Sequence, residues 1–288
     1  MVSIIIINYK TLDYTKKCIE SIIQYTKNIA FEIILVDNFS NDGSAEKLKQ
    51  LHPTIKHIQN NTNSGFSKAN NLGILKAKGE IILLLNSDTE LFEDTISYCY
   101  HYIMNGKTNS IVSCKLIYPN NQIQYQCSTF PSIKNNIVEI FRLQKLLTKE
   151  KAAKLLFSTY FDHNSEAEPE WIWGTFFMFH KKCLEKLNQK QLDDTFFMYG
   201  EDMKWCYDFK QVGCKIVYLP YKKIIHHVGK SSTHISEKTN QIIKNELQFI
   251  CLVKGRTYKL IYKAIRILNL LSSLKANNYK LSKLYSKY

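Results

Sequence analysis

The chain has 288 residues, 45% of them hydrophobic and 22% charged, the make-up of a folded protein with ample length for one large α/β domain and extensions. It contains no run of about 18 uncharged apolar residues, which argues against a transmembrane helix. Eight scattered cysteines with no CxxC pair read as reduced, buried thiols and argue against a sulfur-ligated metal. The net charge of +14 predicts attraction to anions, whether nucleic acid, anionic lipid or phosphorylated substrate. Much of it sits in the tail: no acidic residue follows Glu246, whereas Lys254, Arg256, Lys259, Lys263, Arg266, Lys275, Lys280, Lys283 and Lys287 do.

Val2 to Asn8 is a β-branched run without alternation, as expected of a strand covered on both faces; because it begins at Val2, no signal peptide is expected. Leu12, Ile19, Ile22 and Ile23 then recur at helical spacing. Glu32 to Val36 predicts a second strand, ending in a polar cluster from Asp37 to Ser44, and a short helix follows through Leu51. Ile55 to Gln59 predicts a third strand before the polar loop 60–65. Ser67 is placed to cap a helix running to Lys78, with Gly79 at its end. Ile81 to Leu85 is a fourth buried strand, which stops abruptly at Asn86-Ser87-Asp88. This β-α alternation predicts a mainly parallel, doubly wound sheet.

The second half is less regular. Ile111 to Tyr118 and Trp171 to His180 are expected as strands, Glu201 to Gln211 as a helix, and Lys215 to Leu219 and Lys223 to Val228 as further strands. Pro119 to Pro169 has no clear pattern and is expected to be a loop with a helix lining an acceptor site. From Gln241 the apolar positions have helical period, and Tyr258 to Leu274 continues it as a basic amphipathic stretch, suited to an anionic membrane surface or to packing on protein.

Four loops fall at the C-terminal tips of their strands, where open α/β sheets bind ligands. Tyr9 can stack on a base or pack at the core edge. Asp37 can accept from a ring N–H of uracil or thymine, or stabilise its own turn. Asp88 offers hard oxygen ligands to Mg²⁺ or Mn²⁺, and such an ion neutralises a diphosphate. Together these tips suggest a site for a nucleoside diphosphate.

With VSIIIINY (2–9), VDNFSNDGS (36–44), NSGFSKANNLG (63–73), LLLNSDTE (83–90), WIWGTFFMFHKKCLEKL (171–187), FFMYGEDMKWCYDFKQVG (196–213) and LPYKKIIHHVGKSS (219–232) in order, the chain resembles the family-2 glycosyltransferases of GT-A fold, and in particular their rhamnosyltransferase-like branch. The resemblance implies a GT-A domain over 1–234 (1–90 the nucleotide-binding half, 91–234 the acceptor and catalytic half) and a basic helical tail over 235–288. It also implies inverting transfer of a sugar, first choice L-rhamnose from dTDP-rhamnose or a hexose from a UDP-sugar, to a hydroxyl of a glycan or lipid-linked acceptor. Residues 86–88 occupy the DxD metal motif, with Asn86 at its first position, so Asp88 is its charged ligand. Asp202 is the implied catalytic base, with Glu201 beside it. One histidine of the 226–227 pair is the implied second ligand; strand alternation sends the two rings to opposite faces, so only one can ligate, and spacing favours His226 over His227. Donor contacts are implied for Tyr9, Asp37, Asn38, Gly65, Lys68, Asn71, Asn86, Ser87, Trp173, Gly174 and Lys230, with Ser231 and Ser232 beside Lys230. Core packing explains Trp171 and Trp173 as well as donor contact does. Lys204 stands where the branch often has an acid.

Surface-polysaccharide synthesis, peripheral on the cytosolic face of the plasma membrane, would follow. A sugar nucleotidyltransferase is the alternative enzyme, but Asn8-Tyr9-Lys10-Thr11 lacks a glycine- and lysine-rich phosphate loop. A nucleic-acid-binding basic protein is the non-enzymatic alternative, at odds with the acidic strand tips, so no nucleic-acid partner is expected. An inactive transferase is a third, because Asn86 departs from a two-Asp motif.

Overall fold

The computed structural model describes residues 1–228, 235–272 and 276–288, without the side chains of 235–236 and 276–277. The chain divides into two compact units, Met1–Cys127 with His163–Thr233 and Ser128–Asp162 with His234–Tyr288.

In chain order the elements are β1 (Val2–Asn8), α1 (Leu12–Tyr25), β2 (Phe31–Asp37), α2 (Ser44–Leu51), β3 (Lys56–Gln59), α3 (Phe66–Leu75), β4 (Ile81–Asn86), β5 (Thr89–Glu90), α4 (Thr95–Met104), β6 (Ser110–Ile117), α5 (Ile133–Ile140), α6 (Lys149–Leu156), β7 (Phe176–His180), α7 (Lys182–Glu185), α8 (Glu201–Gln211), β8 (Lys215–His226), α9 (Ile235–Lys254), α10 (Arg256–Ser272) and α11 (Ala276–Lys287). Single 3₁₀ turns occur at Leu143–Leu146 and Ser158–Tyr160.

The first unit is built on one sheet in the order β3-β2-β1-β4-β7-β6-β8-β5. β3, β2, β1 and β4 run parallel, β7 lies antiparallel between β4 and β6, and β8 runs parallel to β6. The unbroken apolar runs are explained by burial on both faces: alternate residues of β1 and β4 enter a core with Cys18, Ile19, Ile22 and Ile96 on one side. On the other side Ile5, Leu84, Phe177 and Phe179 are equally buried. Gly73 in α3 allows the closest approach there, since a Cβ would stand 2.5 Å from Ile5 Cγ2. The register sets Asn8 beside Asp37, Ile7 beside Asn86 and Leu85 beside Phe176, so the tips of β1, β2 and β4 meet the start of β7 at one edge.

Several boundaries differ from expectation. Ser67 does not cap α3; Gly65 holds the N-cap position at φ +83°, and the first free N–H, on Phe66, donates to Phe197 O at 2.9 Å. The helix ends at Leu75, because Lys76 and Ala77 close back onto Gly73 and Ile74 in tight turns. Gly79 is not a helix cap but a close approach to β1, where a Cβ would lie 2.7 Å from Ser3 N. Trp171 makes only an isolated bridge, 172–175 are loop, and β7 begins at Phe176. The two strands expected over 215–228 are one, β8, whose pairing with β6 jumps from Leu219 to Lys223. Pro220 at that jump has no N–H for the ladder, which is how a bulge accommodates it.

In the second unit, 128–162, expected as part of the catalytic half, groups with the C-terminal helices. α5 and α6 start at Ser132 and Thr148, whose hydroxyls accept from Asn135 N and Lys151 N. Gly255, at φ +87°, lets the chain turn from α9 into α10. Inside, Glu246 Oε1 accepts from the Tyr262 and Tyr285 hydroxyls at 2.6 and 2.7 Å. Arg266 reaches Asn136 at 3.1 Å and Glu139 at 3.6 Å. Tyr262 and Leu270 of α10 are buried, whereas Leu260, Ile261, Leu268 and Leu271 remain 41–65% exposed. The unit carries 17 Lys and Arg against 5 Asp and Glu, net +12, leaving the first unit at +2.

Candidate active site

Asn8, fully buried at the end of β1, ties the strand tips together. Its amide donates towards Asp37 Oδ1 (2.7 Å), Ser44 Oγ (2.9 Å) and Ser40 Oγ (3.0 Å), and its oxygen accepts from Thr15 and Thr11. Thr11 continues to Ser87 Oγ at 3.1 Å, joining β1 to the turn after β4. Asp37, 3% exposed, also accepts from Ser40 N, Ser40 Oγ and Gln59 Nε2. Four donors engage the roughly four acceptor positions of a carboxylate. Of the two readings left open for Asp37, the turn-holding one describes these contacts; the base-accepting one has no lone pair left to use.

Asn38 clips the next loop in place: its oxygen accepts from Asn60 and Ser64, and its amide donates to Asn63 and Gly65 O. Gly65 must be glycine here. A Cβ would lie 2.5 Å from Phe197 O, and its φ is strained for any L side chain. That contact lays the segment leading into α8 against the start of α3. Asn71 exchanges two hydrogen bonds with the Leu192 backbone at 2.8 and 3.1 Å, which anchor that loop. Lys68 is 58% exposed and 4.0 Å from Asp194, on the wall of an open cleft of about 570 Å³ lined also by Asn60, Ser64 and Asn71. Lys204 bridges Asp193 (3.2 Å) and Asp208 (2.6 Å) within the protein.

Asp88 is 8% exposed in the turn between β4 and β5, and its Oδ1 lies 3.4 Å from Nε2 of His226, the last residue of β8. Pairing of Thr89 with His226 sets this meeting. Burial alone would push the Asp88 carboxyl up, but the neighbouring His226 ring outweighs it and holds it below the usual carboxylate range. His227 points away from that pair and meets Glu90 at 3.3 Å and the Tyr14 ring.

The Glu201–Asp202 pair opens α8. Asp202 Oδ2 accepts from Gly174 N at 3.1 Å and Oδ1 from Met203 N at 2.8 Å. The neighbouring residue Thr175 accepts from Asn86 N at 3.0 Å through its carbonyl and meets the Asn86 amide at 3.5 Å through its hydroxyl. Two consecutive residues thus connect the strand tip bearing Asp88 to the helix bearing Asp202. Desolvation raises the Asp202 carboxyl to about 6 despite those N–H donors. Glu201 rises further, to about 8, through burial and then the adjacent Asp202 charge; its Oε2 has no hydrogen-bond partner among the described residues. Tyr9 is half-buried beside the Lys10 ammonium, 5.5 Å from its ring centre. Trp173 packs partly against the core. Lys230, Ser231 and Ser232 lie outside the described residues.

The glycosyl transferase family 2 model matches residues 3–187, more than half of the chain. The chain belongs to that family. It is 27% identical over 233 residues to the low-salt glycan biosynthesis hexosyltransferase Agl10 of Haloferax volcanii, covering 78% of this chain and 66% of that protein. It is 31% identical over 118 residues to the glycosyltransferase GlyG of Streptococcus pneumoniae, covering 39% and 38% respectively. The chain therefore spans just under two thirds of one relative's length and little over a third of the other's. Among solved structures, GalNAc-T7 with UDP, GalNAc and Mn²⁺ superposes with a TM-score of 0.62 at 16% identity, covering 100% of this chain and 54% of that one. The mannosyltransferase PcManGT of Pyrobaculum calidifontis, with GDP-Man and Mn²⁺, gives 0.58 at 16% identity, covering 99% and 73%. The fold is the mixed α/β GT-A type.

Sequence reading missed Thr175, hidden in a stretch expected to be strand, and Gln124, which contacts His226 from the unpatterned region after Pro119.

Proposed function

We propose that the chain is a cation-dependent, inverting glycosyltransferase of glycan biosynthesis, moving a sugar from a nucleoside diphosphate to an acceptor hydroxyl. One observation carries the reading: a half-buried carboxylate poised near 6, Asp202, is linked through Gly174 and Thr175 to the strand tip where Asp88 faces His226. One oxygen and one imidazole nitrogen suit Mg²⁺ or Mn²⁺ held jointly with substrate phosphates. Among the described residues no third His, Cys, Asp or Glu joins them. When bound there, the cation would neutralise charge growing on the departing diphosphate.

The protein's own part is positional and acid–base. Asp202 takes the proton from the acceptor hydroxyl as that oxygen attacks the anomeric carbon, an assistance worth about 10²–10⁴-fold. A group poised near 6 is ionised at neutral pH yet basic enough to accept a proton. A single base with one displacement inverts the anomeric centre. Gly174, lacking a side chain, leaves room beside Asp202 for the sugar; a Cβ there would lie 3.4 Å from the Asp202 Cβ. The half-buried Tyr9 ring at the β1 tip is suited to stacking on the base. dTDP-rhamnose remains the first-choice donor, with UDP-hexoses next, and a glycan or lipid-linked hydroxyl the acceptor.

The second unit supports a membrane-facing role. On a helical wheel the exposed Leu260, Ile261, Leu268 and Leu271 of α10 share one face, with Lys259 and Lys263 on its flank, in a unit of net +12. No helix among the described residues is long and apolar enough to cross a membrane. Sedimentation with phosphatidylglycerol but not phosphatidylcholine vesicles is expected, and is lost in a Leu260→Lys/Leu268→Lys variant.

The deciding experiment is a thermal-shift and turnover screen of dTDP- and UDP-sugars with Mn²⁺. A donor at 100-fold over its Kd stabilises the fold by about 2.7 kcal/mol. If no nucleotide sugar shifts the melting point or is turned over, the proposal is wrong.

A further inference from the structure

Gln124 is 1% exposed and does not belong to any helix or named strand. A tight turn after β6, closed by Tyr118 N to Gln122 O at 2.8 Å, sends the chain back along the strand it has just left. Gln124 N then donates to Leu116 O at 2.9 Å, which brings its side chain beside the end of β8. There it makes two contacts with a single residue. Nε2 donates to the backbone carbonyl of His226 at 2.8 Å, and Oε1 lies 2.8 Å from Nδ1 of the same ring.

Those contacts fix the position of one proton on the neutral ring. A carbonyl only accepts, so the amide nitrogen has to be the end facing His226 O. The amide oxygen then faces Nδ1, which must carry the hydrogen. In a neutral imidazole that leaves Nε2 bare, and Nε2 is the atom 3.4 Å from Asp88 Oδ1. An unprotonated nitrogen and a carboxylate oxygen facing each other form a pair of donors for a cation. A free imidazole prefers the opposite tautomer, with the hydrogen on Nε2, and here that hydrogen would bond Asp88 and occupy the cation's place.

We propose that Gln124 is the positioning residue that holds His226 in its Nδ1–H form and so keeps the Nε2 lone pair available beside Asp88. The inference rests on the cation-dependent reading above. His227, whose Nε2 meets Glu90 in a more open setting, is not the ring so prepared.

The test uses the full chain, MnCl₂ with dTDP or UDP, and electron paramagnetic resonance of free Mn²⁺. Gln124→Met keeps the length and removes both polar contacts; it is expected to weaken Mn²⁺ binding about 10–100-fold, as loss of a ligand's outer partner does. Gln124→Glu restores an acceptor for Nδ1–H and is expected to bind within a few-fold of the parent. Nitrogen-15 spectra of the histidine rings add a readout independent of metal: Nδ1–H for His226 in the parent and in Gln124→Glu, Nε2–H in Gln124→Met. Equal Mn²⁺ affinity for a folded Gln124→Met, or Nε2–H in the parent, overturns the proposal. Should Gln124→Met fail to fold, the parent spectrum and Gln124→Glu still decide. A parent chain that binds no Mn²⁺ with either nucleotide overturns the cation-dependent reading instead, and the tautomer then judges Gln124 by itself.

Discussion

Replacing Asp202 with asparagine is expected to do two opposite things, abolishing transfer while stabilising the fold at neutral pH. The folded-state carboxyl sits near 6 where an ordinary aspartate titrates near 3.8, and each tenfold change in proton affinity corresponds to about 1.4 kcal/mol. The sign follows from which state holds the proton. Below about pH 4 both states are protonated and the burial costs nothing. As pH rises towards 6 the unfolded chain ionises first, stability falls, and above 6 the cost stays constant at no more than about 3 kcal/mol. Residual solvent access at Asp202 trims that ceiling. Asparagine removes the charge but turns an NH₂ towards Gly174 N or Met203 N, forfeiting one hydrogen bond worth about 1 kcal/mol. The net gain at pH 7.5 is about 1–2 kcal/mol, or roughly 2–8 °C in Tm at about 2–4 °C per kcal/mol. At pH 4 only the lost hydrogen bond remains and the variant melts below the parent. Differential scanning fluorimetry at the two pH values reads this directly. A Tm difference that is the same at pH 4 and pH 7.5 refutes the reasoning about Asp202, and unimpaired transfer by the variant refutes its role as base.

Other substitutions test the frame around it. For Gly65→Ala, a left-handed backbone and a Cβ 2.5 Å from Phe197 O predict a loss of at least about 1–2 kcal/mol, seen in urea denaturation, with kcat falling as the segment before α8 shifts. Asn8→Ala strands Asp37, Ser40 and Ser44 in a buried network and is expected to cost about 2–4 kcal/mol by the same measurement. His226→Ala should lose Mn²⁺ binding in a titration, whereas His227→Ala retains it; the reverse outcome would reassign the ligand. In the parent, kcat is expected to rise with pH through about 6, following ionisation of the Asp202–Glu201 pair.

What the sequence revealed depended on the range of the interaction behind it. β1, β4 and α8 were legible because each is set by its own run: continuous β-branched residues buried on two faces, or an amphipathic helix with acids at its start. The tip residues of β1, β2 and β4 were legible as a group for the same reason. Their contacts were not. Nothing near Asp37 in the chain announces Gln59 and Asn8 as its partners, so a carboxylate that looked available proved engaged. Ser67 looks like a helix cap until Phe197, 130 positions on, supplies the acceptor for the first turn. Gln124 carries no local signal at all, because its role exists only once β6 and β8 lie side by side. The tail's helical period was plain, but its division into an inner face around Glu246 and an outer apolar face depends on α5 from a stretch without pattern.

The peptide link between Gly174 and Thr175 has a consequence for how such an enzyme changes over time. Gly174 holds the start of α8 and Thr175 holds the tip of β4, so on the roles proposed for Asp202 and Asp88 the spacing between bond making and bond breaking is built into a dipeptide. Loops around it can be exchanged for new acceptors or donors without retuning that spacing. Variation in specificity is therefore expected to accumulate around residues 174–175 and to spare them.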